Sequence, residues 1–109
     1  MKNDLISDMA VITTNTLLEE TGKAMEEIDQ YFKSQRRDCL CSMAIENQLQ
    51  TVAMYALETL IKCYRPNSRH DQGALLNLLN IIIEHSPFIE VRRAAMLESM
   101  PYRLRLAGA

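Results

Sequence analysis

Three cysteines and two histidines are the side chains in this sequence best suited to metal, redox or nucleophilic chemistry. Cys39, Cys41, Cys63 and His70 can be written as a Cys₃His zinc set, since zinc takes four nitrogen or sulfur ligands in a tetrahedron. The spacing opposes that reading. At 3.6 residues per turn, a Cys-x-Cys pair at a helix start points its side chains about 200° apart. No metal is expected, and small thiols packed inside a bundle account better for the cysteines. A thiol sensor at Cys39 or Cys41 fits somewhat better. Arg36 and Arg37 lie near, and a helix N-terminus lowers a thiol's pKa.

His70 precedes Asp71 and His85 precedes Ser86, but neighbours in sequence do not make a triad. No nucleophile elbow and no His-Glu-x-x-His is present, and glycines at 22, 73 and 108 make no phosphate loop. The chain is therefore read as non-enzymatic, with no cofactor.

Charge is the remaining chemistry. The net charge is −2. Residues 1–61 carry ten acidic and five basic side chains, and residues 62–109 carry four acidic and seven basic ones. The two halves are expected to face each other, within the chain or across a homodimer, and the basic end has a second use as a seat for an anionic partner. The candidate partner-binding residues are Arg92, Arg93, Arg103 and Arg105. A helix over 87–100 followed by a basic tail also outlines a helix-turn-helix with phosphate contacts. Its turn lacks glycine, its reading helix opens on Phe88, Ile89 and Val91, and the pI near 5.6 lies far below the usual DNA-binding footprint of about 9.

Helices must position all of these residues. Leu5, Met9, Ile12, Leu18, Met25, Ile28 and Phe32 recur at helical spacing and predict a mostly continuous helix over about 4–35. A turn at 34–38 follows. Apolar residues at three- and four-residue intervals predict a second helix, 39–64. Arg65 to Asp71 is the clearest loop, with Pro66 barring helix and Asp71 as the next N-cap. The third helix, 72–85, is so rich in Leu and Ile that it is expected at the centre of the core, with Leu76, Leu79 and Ile83 deeply buried. Ser86 and Pro87 are read as N-cap and first residue of a fourth helix, 87–100. On it Phe88, Val91, Ala95, Met96 and Met100 face inward. Pro101 is expected to end the helix and detach a tail, 101–109.

The stretch from Leu75 to Met100, with a Leu-rich helix, a Pro turn and then Val-Arg-x-x-Ala, resembles one unit of a HEAT-type repeat. Such units stack, and about three make a stable core. No comparable pattern is read in residues 4–64.

The expected fold is all-α, a single domain of 1–109 with about four helices, arranged as a long helical hairpin and a shorter one. Length, 48% hydrophobic and 24% charged residues fit one ordinary globular unit. No apolar run approaches the roughly 18 residues of a membrane span. With no Trp and 6% aromatics, base-stacking platforms are not expected. Asp4 and Asp8 interrupt what would be a leader's apolar stretch. Three unpaired cysteines point to a reducing, cytoplasmic setting. The function expected is protein–protein binding by a small regulator, adaptor, inhibitor or chaperone-like factor, of a size that suits bacterial or phage-borne regulators. The alternative is a DNA-binding transcriptional regulator using helix 87–100 and the basic tail.

Overall fold

The computed structural model describes the backbone of residues 2–107 and the side chains of residues 16–106. Five helices run in order: α1 (Lys2–Lys33), α2 (Arg37–Glu46), α3 (Gln50–Lys62), α4 (Arg69–His85) and α5 (Ile89–Ala107). No strand occurs among the described residues, so the all-α expectation holds with one helix more than expected.

α1 is continuous, and its inward positions read at Leu5, Met9 and Ile12 lie outside the described side chains. It ends in a Schellman motif. Arg36 N–H donates to the Tyr31 carbonyl at 2.9 Å and Gln35 N–H to the Phe32 carbonyl at 3.2 Å. Gln35 takes the left-handed conformation this motif needs, φ 56°, without being glycine.

The expected helix 39–64 is two helices, broken at Asn47-Gln48-Leu49. Asn47 is extended and its side-chain oxygen accepts from Leu49 N–H at 2.9 Å, an Asx turn that competes with helix. Its own N–H still donates back to the Met43 carbonyl. α2 and α3 thus form a tight antiparallel hairpin.

The second hairpin repeats this construction 39 residues later. Ser86 is extended, its N–H donates to the Ile82 carbonyl at 2.8 Å, and its hydroxyl accepts from Phe88 N–H at 3.3 Å. α5 starts at Ile89, so Ser86 closes α4 and Pro87 sits in the link, not at the first helical position. The buried stripe also repeats. Val52, Ala56 and Leu60 of α3 match Val91, Ala95 and Ser99 of α5, and Leu40 matches Leu79, all fully buried. Residues 37–62 therefore form the same kind of unit as residues 69–107, which the sequence reading missed.

The hairpins stack in two layers. α3 lies between α1 and α5, and α2 lies beside α4. α3, not α4, is the centre of the core, and it buries Val52, Ala53, Ala56, Leu57, Thr59 and Leu60. Its two alanines let neighbours approach closely. Of the three α4 residues expected to be deep, Leu79 is fully buried, whereas Leu76 and Ile83 are half-buried; Ile81 on the same helix is 41% exposed. Among the described residues the second hairpin has no neighbour on one side, so its apolar helix stays partly open.

The link between hairpins is held by polar side chains. α4 begins at Arg69, earlier than expected, because Ser68 rather than Asp71 caps it and accepts from Asp71 N–H. Asp71 is buried and accepts from Arg65 N–H at 2.8 Å. Gln72 Nε2 donates to the Pro66 carbonyl at 2.6 Å. Arg37 at the start of the first hairpin reaches its end, donating to the Cys63 carbonyl at 2.9 Å with its guanidinium 4.2 Å from the Tyr64 ring centre.

Pro101 neither ends α5 nor releases a tail. An interior proline costs a helix about 3 kcal/mol, but the residues beyond it are anchored. Tyr102 packs against the core, and Arg103 donates to Ser99 Oγ and to Asn80 Oδ1. Gly108 and Ala109 lie outside the described residues.

Candidate binding face

α5 has apolar residues on two opposite faces. At 100° per residue, Val91, Ala95 and Ser99 fall together on the side packed against the protein. Ile89, Met96, Leu97, Met100 and Leu104 fall on the opposite side and are exposed, Leu97 at 63% and Met100 at 50%. Met96 and Met100 were expected inward, and they belong to this outer stripe instead. A helix apolar on both sides normally has a neighbour on each.

Beside the stripe, α4 and α5 enclose a shallow groove of about 320 Å³ lined by Ile83, Ile89, Arg92, Arg93 and Met96. Position by position, Ile83, Arg92 and Met96 correspond to Ala44, Ala53 and Leu57 of the first hairpin. Those three are fully buried or nearly so. At these three positions the second hairpin is open where the first is covered, while Gln50 and Met54, the counterparts of Ile89 and Arg93, are exposed and half-buried.

The four arginines singled out in the sequence do not gather into one patch. Arg92 and Arg93 line the groove. Arg93 pairs with Glu90 at 3.5 Å. Arg103 is committed to Asn80 and Ser99. Arg105 is exposed but lies well round the helix from Arg92 and Arg103. Two of the four belong to the candidate face.

At the opposite end of the stack α1 presents a different surface. Its inward side carries buried Ile28 with Ala24 and Tyr31 packed on the core, and Tyr55 OH donates to Asp29 Oδ1 at 2.6 Å. Glu19, Lys23, Glu26, Gln30 and Lys33 recur at intervals of four and three and are all exposed. This is a polar stripe opposite the packed one.

The cysteines and histidines do not converge. Among the described residues no three His, Cys, Asp or Glu side chains are placed to hold a metal ion. Cys41 and Cys63 are buried and donate to the carbonyls of Leu78 and Thr59. Burial, helped by Asp38, pushes the Cys41 thiol up to about 11, and burial raises Cys63 as well. Arg37, a proposed activator of the thiols, is directed at Tyr64 and the Cys63 carbonyl instead. Cys39 is half-buried in a surface groove with Glu27, Asp38 and Glu46. His70 is exposed, and His85 is exposed beside Glu84 at 3.9 Å. No helix is long and apolar enough to cross a membrane among the described residues.

No protein-family model matches the chain, and neither a curated protein nor a solved structure matches it.

Proposed function

We propose that this chain is a small non-enzymatic adaptor or regulator that works by binding a protein at the open face of its second hairpin. One observation carries the reading. The outer stripe of α5 and the adjoining groove form an exposed, largely apolar surface, and Met96, where the two meet, is 41% exposed at a position whose counterpart in the first hairpin, Leu57, is buried. An exposed apolar patch of this kind marks an interaction surface. The same stripe favours a protein over DNA, because it puts Ile89, Met96, Leu97 and Met100 where a reading helix needs polar side chains. Cysteines outside any disulfide support a reducing, cytoplasmic location.

Affinity capture from the native cell, with and without nuclease, tests this reading on wild type and Leu97→Glu. The expected result is partner recovery that ignores nuclease and is lost in the variant. Recovery that requires nucleic acid, or that survives Leu97→Glu, overturns it.

A further inference from the structure

We draw no further inference here: the strongest candidate, the exposed apolar stripe of Ile89, Met96, Leu97, Met100 and Leu104 on the outer side of α5, carries nothing beyond the reading above because nothing in the structure shows what covers it.

Discussion

The two hairpins are the same device in two settings. Asn47 and Ser86 shape their links alike, and Val52, Ala56 and Leu60 sit where Val91, Ala95 and Ser99 sit. The first hairpin lies between α1 and the second hairpin, while among the described residues the second has a neighbour on one side only. Leu57 and Met96 are the clearest pair, one almost fully buried and the other 41% exposed at an equivalent position. Whether an apolar residue here is covered or left open is decided by what lies next in the stack, not by its own helix.

The largest expected effect follows from that pair. Leu57→Ala should cost about 2–5 kcal/mol in urea unfolding, with Leu79→Ala in the same range. Met96→Ala should cost less than about 0.5 kcal/mol when measured on the monomer. A Met96→Ala cost matching that of Leu57→Ala would break the contrast between covered and open units.

A smaller effect tests the likeness of the links. Asn47→Ala and Ser86→Ala should each cost about 1 kcal/mol by leaving Leu49 or Phe88 N–H without its acceptor. The exchanges Asn47→Ser and Ser86→Asn keep an acceptor there and should each cost under about 0.5 kcal/mol by the same urea measurement. If the exchanges cost as much as the alanines, the two links are not interchangeable.

The smallest concerns the junction between hairpins. The Arg65 N–H donated to Asp71 holds its carboxyl below the ordinary carboxylate value, with the Arg65 side chain adding to it. A carboxyl whose pKa is lowered by folding stabilises the protein above its unfolded value. That contribution is lost as pH falls through the folded one. Asp71→Asn should therefore be less stable than wild type near neutrality and should converge with it in acid. Parallel urea midpoints across that range would remove Asp71 as a pH-dependent clasp.

Much of the fold was legible. Helical spacing gave α1, Pro66 marked the loop, Ser86 and Pro87 marked the second link, and Leu79 is buried as read. The break at 47–49 was not, because Gln48, Leu49 and Gln50 are good or neutral helix formers. Its trace was Asn47, a poor helix former whose side chain competes for the backbone. Pro101 misled because the cost of an interior proline is local, while Tyr102 and Arg103 are tied to distant partners. The 39-residue repeat was hidden because residue types are kept at only a few positions, such as Leu40 and Leu79 or Ala56 and Ala95. At the candidate face, Arg92 and Arg93 are among the residues singled out in the sequence and the outer stripe is not. A helix with two apolar stripes does not say which one the protein keeps.

The tight links have a kinetic consequence. Each hairpin closes over three residues, so its first contacts form with little loss of chain entropy. Arg37 then joins the beginning of the first hairpin to its end within 26 residues. A topology dominated by such local closures folds quickly. In a linear stack each unit also gains from its neighbour as it docks. The first hairpin, with a docking surface on both sides, is the natural nucleus. The second condenses on it afterwards, and native-state hydrogen exchange should find it opening first.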